Sequence, residues 1–534
     1  MHHLTLRIVA TACVVGCAAL VPSCHADRPS GIDTAAAPDG VRFMIHLPET
    51  LPNPPARGRL VLWFVAGGAE GLDDTDPADG PFLDNPQPII AADIADLSPG
   101  QVVSFPGPLV RTFDVFMGIG PGTWRVQAVL DRVRHNSAWE REPGNLYSQP
   151  VAFTFPEAGS PRATIDITLD QIVKTRTLPA VKGVEWFSIR SKLLSEFRGE
   201  IVSLNAGVVL PSDYKPARHY PAIYYVPGFG GDHLTASRFA AMQQSSQLPQ
   251  DLRDLFAGAF TIVLDPESPN GHTLFADSDV NGPAARALIE ELIPALEEKY
   301  PLIPQPSARI VRGHSSGGWS AVWLPLMYPA TFGGGFSSSP DPVDFRAFQE
   351  ANIYAKNFYF DPSGTPIPSN IRSGTPLTTL RLENLMEQAM APDNGSAEQW
   401  DSWYAVFGPR ARPGFPADLF SPSTGKINAR IARHWRQYDI GRLLRTDPDH
   451  YGPIFESNIR ILVGDADQWS LNKAVALVKQ QLDELGYDTS PDAGPPGYIT
   501  IANGYDHGSI FLSPEMAQLT AAMLEALRKA GHIK

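Results

Sequence analysis

The chain shows two hydrophobic patterns in succession, and the change between them predicts two kinds of fold. From about residue 39 to residue 170, apolar and polar positions alternate, as they do around Val151, Phe153 and Phe155. Alternating runs separated by turn-rich segments predict a half-buried antiparallel β-sandwich. After a linker that ends near residue 183, continuous apolar strands alternate with helical patterns. This second pattern indicates a mostly parallel α/β sheet.

The second region contains several elements with clear boundaries. Strands are predicted over Ala222–Val226, Phe260–Leu264, Ile459–Val463 and Tyr498–Ile501. Helices are predicted over Leu288–Leu296 with a bend at Pro294, over Leu471–Leu485, and from Pro514 to near Gly531 after the cap residue Ser513.

Residues 339–457 interrupt this pattern as an irregular insertion rich in Pro, Gly and aromatic residues. A segment of this length inside a catalytic domain favours a lid or a pocket wall. The alternative, that its aromatic residues form a small core of the insertion itself, has equal weight. The aromatic residues are Trp400, Trp403, Tyr404, Phe407, Phe415 and Trp435.

The N-terminus has the pattern of an export signal over residues 1–26. A basic Arg7 precedes the apolar stretch Ile8–Val21, which is shorter than the roughly 20 apolar residues of a membrane-spanning helix. Small residues before Asp27 predict cleavage there and a mature chain with no transmembrane segment. Lipid anchoring through Cys24 is a less favoured alternative. We therefore expect an exported protein, periplasmic or secreted.

Length, cysteine content and net charge indicate how many domains the mature chain has and which partners it excludes. A length of 534 residues exceeds one ordinary core, so we expect a β-sandwich (immunoglobulin-like) domain over residues 27–172 and an α/β domain over 173–534. All three cysteines lie in the export signal, which leaves the mature chain without a disulfide or a cysteine metal site. The net charge of −14 argues against nucleic acid or an anionic membrane as a partner.

The most informative motif is the pentapeptide Gly313-His314-Ser315-Ser316-Gly317. It lies between a strand-like run, Ala308–Arg312, and a helix-compatible stretch, Gly318–Met327. A nucleophilic serine on a sharp strand-to-helix turn needs this pattern, because glycines on both sides remove side chains that would clash. Ser315 is therefore the predicted nucleophile. Ser316 does not fit that role, since its register would require glycine at position 314.

A serine nucleophile needs a histidine to take its proton and a carboxylate to orient that histidine. In α/β-hydrolases these follow the serine in the order acid, then histidine. The loop after the strand Ile459–Val463 offers Asp467 as the acid, with Asp465 as the alternative. Of the histidines after Ser315, those before this loop are excluded by the order, and His532 lies on a terminal helix. His507 is then the predicted base.

Catalysis also needs two backbone N–H groups that face the developing oxyanion. One is predicted at Ser316, directly after the nucleophile. The other is predicted at Phe229, in the glycine-rich loop Pro227–Gly231 that follows the strand Ala222–Val226.

These motifs together resemble the putative-esterase (esterase D-like) family of α/β-hydrolases, which includes feruloyl esterases. The matching segments are Ser188–Ser191, Val208–Tyr214, Tyr225–Gly231, Gly313–Gly317, the Gly464/Asp467 pair and His507–Gly508. The resemblance implies a triad of Ser315, Asp467 and His507, with oxyanion amides at Phe229 and Ser316. The long insertion departs from the family pattern and leaves the substrate class open.

We therefore expect an exported serine ester hydrolase that works through an acyl-enzyme and requires no metal or organic cofactor. Its expected substrate is a small-molecule ester or an ester linked to a carbohydrate. Two alternatives remain. The same triad could transfer the acyl group to another hydroxyl, or the protein could be a non-catalytic glycan-binding protein.

Overall fold

The computed structural model describes residues 40–50, 56–105, 114–116, 119–132, 138–412, 414–489 and 498–534. The predicted export signal, including Cys24, lies outside the described residues. Within these ranges, every helix is too short or too polar to cross a lipid bilayer.

Ten strands occur among the described residues before residue 173. They are β1 (Val41–His46), β2 (Ala56–Ala66), β3 (Ile89–Leu97), β4 (Val102–Phe105), β5 (Asp114–Phe116), β6 (Gly122–Asp131), β7 (Leu146–Tyr147), β8 (Val151–Phe155), β9 (Ala163–Thr168) and β10 (Gln171–Ile172).

These strands form two sheets that pack face to face, as the alternating pattern predicts. One sheet has the order β4-β1-β9, and the other has the order β10-β7-β6-β2-β3-β5 with β8 paired to β6. Phe43, Leu62, Val126, Phe153 and Ile167 contribute to the buried core between them. The sandwich is not wholly antiparallel, because β1 and β9 pair in parallel. Parallel pairing needs a long crossover, and the strands between β1 and β9 supply one.

Sixteen further strands follow in the described part of the chain. They are β11 (Val184–Ser191), β12 (Val202–Val209), β13 (Ala222–Val226), β14 (Phe260–Leu264), β15 (Glu267–Ser268), β16 (Gly271–His272), β17 (Asp277–Ser278), β18 (Gly282–Pro283), β19 (Arg309–His314), β20 (Gly334–Ser338), β21 (Pro368–Arg372), β22 (Thr375–Thr379), β23 (Arg410–Arg412), β24 (Phe415–Pro416), β25 (Ile459–Gly464) and β26 (Tyr498–Ala502).

The α-helices of the described residues are α1 (Lys192–Arg198), α2 (Ala236–Gln243), α3 (Gln250–Gly258), α4 (Ala284–Ala287), α5 (Ile293–Lys299), α6 (Ser316–Met327), α7 (Leu380–Met390), α8 (Gln399–Phe407), α9 (Ala429–Trp435), α10 (Ile440–Thr446), α11 (Pro448–Asn458), α12 (Leu471–Glu484) and α13 (Pro514–Lys529).

Eight of these strands form one sheet with the order β11-β12-β14-β13-β19-β20-β25-β26. Strand β12 is antiparallel to both of its neighbours, and the strands from β14 to β26 are parallel. This order is that of the α/β-hydrolase fold. The strands predicted around residues 222, 260, 459 and 498 are confirmed as β13, β14, β25 and β26. The predicted domain boundary at residue 172 falls between β10 and β11.

The predicted helices are also present, with one local difference. Helix α13 begins as predicted, since the Ser513 side chain accepts the Met516 N–H and Pro514 occupies the first turn. Around Pro294, a π-helical turn, Leu288–Leu292, joins α4 to α5. Proline lacks an N–H and crowds the preceding turn, and the wider π turn makes room for it.

The aromatic residues of the insertion form a core with the helix that follows Ser315. Trp400, Trp403, Phe407 and Trp435 belong to the same buried cluster as Trp319 of α6. Several of these rings contact one another at centroid distances of 4.7 to 5.3 Å. These rings therefore form a core, as the second alternative predicted. This core is shared with α6 and does not belong to the insertion alone.

The insertion also covers the outer face of the larger N-terminal sheet. Val61, Trp63 and Ile89 point away from the sandwich core and pack with Met386 and Ala389 of α7. The expectation of a half-buried sheet therefore does not hold around Val61, Trp63 and Ile89, where the outer face of the sheet is buried too.

Candidate active site

Ser315 stands at the turn between β19 and α6 with an unusual backbone conformation. Its φ is 58° and its ψ is −125°, values that L-residues rarely adopt. Such strain is typical of a nucleophile held at the tip of a strand-turn-helix motif. Its position exposes the side chain beyond the carboxyl end of β19, where ligands bind in open α/β sheets.

The glycines of the pentapeptide allow neighbouring segments to come close to this turn. A Cβ atom on Gly317 would lie 1.9 Å from the Val226 carbonyl oxygen, and one on Gly313 would lie 1.9 Å from the Gly317 carbonyl oxygen. Neither position can accept a side chain unless the backbone moves. The sharp turn at Ser315 therefore depends on both glycines.

His507 and Asp467 lie together, as the residue order predicts. His507 Nδ1 is 2.8 Å from Asp467 Oδ2, and the aspartate side chain is fully buried. Asp467 follows β25 and His507 follows β26, so two adjacent parallel strands deliver the pair to one edge of the sheet. Asp465, the alternative acid, is exposed and accepts the Gly504 N–H at 2.6 Å.

Burial and charge act in opposite directions on His507. Burial lowers its pKa, but the charge of Asp467 and the hydrogen bond to it raise the pKa above the ordinary value of 6.5. The backbone N–H of His507 donates a further hydrogen bond to Gln468 Oε1 at 3.0 Å, which fixes the backbone at His507.

His314 is a second imidazole at the site. Its ring centroid is 4.5 Å from that of His507, and its Nδ1 lies 3.0 Å from Ser338 Oγ. Burial, followed by the positive charges of His507 and Arg312, holds the pKa of His314 well below its usual value. His314 is therefore neutral when His507 titrates.

The loop after β13 approaches Ser315 closely. A Cβ atom on Gly228 would lie 3.3 Å from Ser315 Cβ. The Gly231 N–H donates to the Gly228 carbonyl at 3.0 Å, and Gly230 has a φ of 72°. These features define a tight turn with Phe229 at its second position, and the positive φ of the third position favours glycine. Phe229 thus directly follows Gly228, the residue of this turn that approaches Ser315, while Ser316 begins α6.

His272 anchors the start of this loop. Its Nδ1 accepts the Leu274 N–H at 3.0 Å, so its Nε2 carries the proton and donates to the Pro227 carbonyl at 2.9 Å. Burial lowers the pKa of His272 to about 4. The side chain is neutral and structural at physiological pH.

Asp341 is a buried carboxylate beside Ser315 that the sequence analysis missed. Its Oδ2 accepts hydrogen bonds from Ser316 Oγ and from Trp403 Nε1, each at 2.7 Å. Its backbone N–H donates to the Ser315 carbonyl at 3.1 Å. Burial raises the pKa of Asp341 to about 6 in spite of these donors. The sequence signal that could have identified Asp341 is its position just after β20, at the carboxyl edge of the sheet.

Two exposed apolar side chains follow His507 in the chain, and one of them contacts His314. Phe511 is 47% exposed, and its ring centroid is 4.5 Å from that of His314. Its neighbour Leu512 is 77% exposed. Both belong to the short 3₁₀ helix Ser509–Leu512 directly after His507, and they give one side of the site an apolar surface.

The described residues contain no group of three or more His, Cys, Asp or Glu side chains placed to hold a metal ion. Residues 73–80 form a loop rich in aspartate. Within it, Pro77–Asp79 form a 3₁₀ helix, and the Ala78 N–H donates to Gln127 Oε1.

Comparison with known proteins agrees with this fold. Residues 202–407, from the start of β12 to the end of α8, match the family model described as "Putative esterase". This segment of the chain is therefore similar to the esterase family. The matched segment includes Phe229, Ser315 and Ser316, whereas Asp467 and His507 lie beyond it. No curated protein matches the chain.

Solved structures with similarity include three esterases or related hydrolases. A ferulic acid esterase is 13% identical, with 64% of this chain and 97% of that chain covered and a TM-score of 0.39. An S-formylglutathione hydrolase from Agrobacterium tumefaciens is 15% identical, with 67% and 99% covered and a TM-score of 0.36. A ferulic acid esterase from Anaeromyces mucronatus is 13% identical, with 66% and 95% covered and a TM-score of 0.32.

Proposed function

We propose that this protein is an exported serine carboxylic ester hydrolase with Ser315, His507 and Asp467 as its triad. The observation that carries the proposal is the 2.8 Å contact between His507 and the buried Asp467, at the same sheet edge as the strained Ser315. The esterase-family segment around Ser315 supports the same reaction class. None of these residues needs a metal for this chemistry.

In the proposed reaction, the Ser315 hydroxyl oxygen attacks the ester carbonyl carbon. Asp467 occupies Nδ1 of His507, so Nε2 is the nitrogen that takes the serine proton. The carbonyl oxygen becomes an oxyanion that the Phe229 and Ser316 N–H groups stabilise. As this intermediate collapses, the C–O bond to the alcohol breaks and His507 returns the proton to the leaving oxygen.

The second half of the reaction releases the acid. A water molecule gives a proton to His507 and attacks the acyl carbon, and the same two amides hold the new oxyanion. Collapse of this intermediate breaks the bond to Ser315 Oγ, which recovers its proton from His507. An alcohol that replaces water in this step would make an ester instead, so competition between the two separates hydrolysis from acyl transfer.

The surroundings of the triad support an ester with an apolar or aromatic part. Phe511 offers exposed apolar surface next to His314, and the adjacent residue in the chain, Leu512, is also exposed. We propose a small-molecule ester or a carbohydrate-linked ester that places its apolar group against Phe511.

The test is hydrolysis of p-nitrophenyl esters of increasing acyl length. We expect wild-type activity, and a loss of about 10⁴-fold or more in Ser315→Ala, the scale seen when a triad serine is removed. Ser457→Ala on the exposed part of α11 is the matched control and should retain full activity. A fluorophosphonate should add its mass to the peptide that contains Ser315. Equal activity in wild type and Ser315→Ala would refute the proposal.

Export is tested separately, by mass spectrometry of the mature N-terminus from the native host. A chain that begins at Asp27 agrees with cleavage of a secretory signal. A mature chain that begins with a lipid-modified Cys24 would instead show a membrane-anchored protein.

A further inference from the structure

Arg141 reaches from the N-terminal sandwich to the loop that carries Phe229. It ends the 3₁₀ helix Trp139–Arg141, which follows β6. Its Nη2 donates a hydrogen bond to the Gly230 carbonyl, and its Nη1 lies 3.8 Å from Asp232 Oδ2. The arginine and aspartate side chains are only 18% and 12% exposed. This contact joins two segments that lie 89 residues apart in the chain.

The Gly230 carbonyl is the first member of a chain of hydrogen-bonded peptide groups. The peptide unit that contains this carbonyl also contains the Gly231 N–H, which donates to the Gly228 carbonyl at 3.0 Å. The peptide unit of the Gly228 carbonyl contains the Phe229 N–H. The guanidinium of Arg141 is therefore linked through the Gly230–Gly231 peptide unit to the Gly228–Phe229 peptide unit. This second unit contains the N–H proposed to hold the oxyanion.

Hydrogen bonds in such a chain polarise one another. A charged donor on the Gly230 carbonyl increases the partial positive charge on the Gly231 N–H, which strengthens its bond to Gly228. The same effect makes the Phe229 N–H a better donor, and the bonds also fix the direction in which it points. A donor aimed at the oxyanion before the reaction begins stabilises the transition state more than the substrate.

We propose that Arg141 is a positioning residue for the Phe229 amide of the oxyanion hole, contributed by the N-terminal sandwich. The inference rests on the proposed function, because it assigns the Phe229 N–H to the oxyanion. It gives the sandwich a part in catalysis that is separate from binding of a glycan.

Hydrogen bonds hold the backbone around Arg141 in place. Asn145 is fully buried, and its Nδ2 donates to the Trp139 carbonyl at 3.0 Å and to Asp131 Oδ1 at 2.9 Å. The Arg141 N–H donates to the Ala138 carbonyl at 3.0 Å. These bonds tie the turn to the end of β6, so the arginine is presented from a sheet and not from a free loop.

A second arginine offers a matched control. Arg176 Nη1 lies 2.7 Å from the same Asp232 Oδ2, but this side chain is 49% exposed. Arg141 and Arg176 thus share a carboxylate partner, whereas the hydrogen bond to the Gly230 carbonyl comes from Arg141. Removal of either guanidinium weakens the pairing of Asp232, and only removal of Arg141 interrupts the chain to Phe229.

The test compares Arg141→Gln, Arg141→Lys and Arg176→Gln in ester hydrolysis by the full-length protein. We expect Arg141→Gln to lower kcat about tenfold, less than the roughly 10²- to 10³-fold loss on removal of an oxyanion donor. KM should stay within about twofold, and the pH midpoint of kcat should not move, because the His507–Asp467 pair is intact. Arg141→Lys should recover part of kcat, and Arg176→Gln should retain it.

A second measurement gives an answer that does not depend on turnover. Labelling of Ser315 by a fluorophosphonate places the phosphoryl oxygen in the oxyanion position, so its rate should fall about tenfold in Arg141→Gln. Thermal melting shows whether Arg141→Gln is folded. If it is not, Arg141→Lys is compared with wild type in its place. An Arg141→Gln protein with wild-type kcat and labelling rate would overturn the inference. Equal losses in Arg141→Gln and Arg176→Gln would also overturn it, since they would indicate a general loosening of the loop.

Failure of the proposed function would look different. Undiminished activity in Ser315→Ala, or a wild-type protein with neither ester hydrolysis nor labelling, would overturn the function and this inference together. Wild-type activity that depends on Ser315 but not on Arg141 would overturn the inference alone.

Discussion

The protonation of two neighbouring imidazoles determines when the site can act. The ring centroids of His314 and His507 lie 4.5 Å apart at an interplanar angle of 45°, and two positive charges at that distance would repel each other strongly in a buried place. The structure separates their roles, because Asp467 raises the pKa of His507 while burial keeps His314 neutral. One imidazole therefore titrates in the range in which a general base is useful.

This separation predicts the pH dependence of ester hydrolysis. His507 accepts a proton only when neutral, so kcat should rise with pH, with a midpoint above the ordinary histidine value of 6.5. Asp467→Asn removes the charge that raises the pKa, so its midpoint should fall, and kcat should fall by about 10⁴-fold. The measurement is kcat from pH 5 to 9 for both proteins. A profile that is flat between pH 5 and 8 would contradict a histidine base.

At the scale of elements, the strands and helices that carry Ser315, Asp467 and His507 were predictable, but the contacts of the insertion were not. Strands β13, β14, β25 and β26 are continuous apolar runs, and α12 and α13 have clear helical periodicity and caps. The pairing of Asp467 with His507 follows from the order of these elements. The insertion has no such period, and its aromatic rings face α6 through tertiary packing that leaves no local signal. The Trp403–Asp341 hydrogen bond is one result.

Asp341 predicts a measurable cost of burying a charge at this junction. Its pKa of about 6 lies above the ordinary carboxylate value of 3.8, so ionisation destabilises the folded state increasingly as pH rises through this interval. Above pH 6 the cost is about 3 kcal/mol. Asp341→Asn keeps an oxygen that can accept from Ser316 and Trp403 but removes the charge. We expect its free energy of unfolding in urea to exceed that of wild type by about 3 kcal/mol at pH 8, and by about half as much at pH 5.

Asp449→Asn, on the exposed start of α11, is the control for this comparison and should change stability by less than about 0.5 kcal/mol at both pH values. A loss of stability in Asp341→Asn at pH 8, or a gain that does not depend on pH, would show that the carboxylate is stabilised by its donors and is not strained by burial.

At the scale of the whole molecule, the sandwich, the insertion and the loop that carries Phe229 are linked by contacts between segments far apart in the chain. Arg59 of β2 meets Ala389 of α7 across 330 residues, and Arg141 meets Gly230 across 89. Sequence periodicity reports which face of an element is apolar, but not which distant element covers it. This is why the second buried face of β2 and the hydrogen bond from Arg141 to Gly230 appear only in the structure.

The junction between β2 and α7 predicts a large stability effect from one buried arginine. Arg59 is 3% exposed, and its Nε and Nη2 donate to the Ala389 carbonyl at 3.1 and 2.8 Å, at the end of the helix where carbonyls lack partners. Arg59→Met keeps the apolar stem but leaves this carbonyl unpaired, and we expect a loss of about 2 to 4 kcal/mol in urea unfolding. Asp93→Asn is the matched control, because it removes only the exposed partner of Arg59 Nη1 and should cost less than about 1 kcal/mol. Amide hydrogen exchange should show faster exchange in α7 for Arg59→Met alone. If the two variants lose the same stability, the surface ion pair and not the helix contact holds this junction.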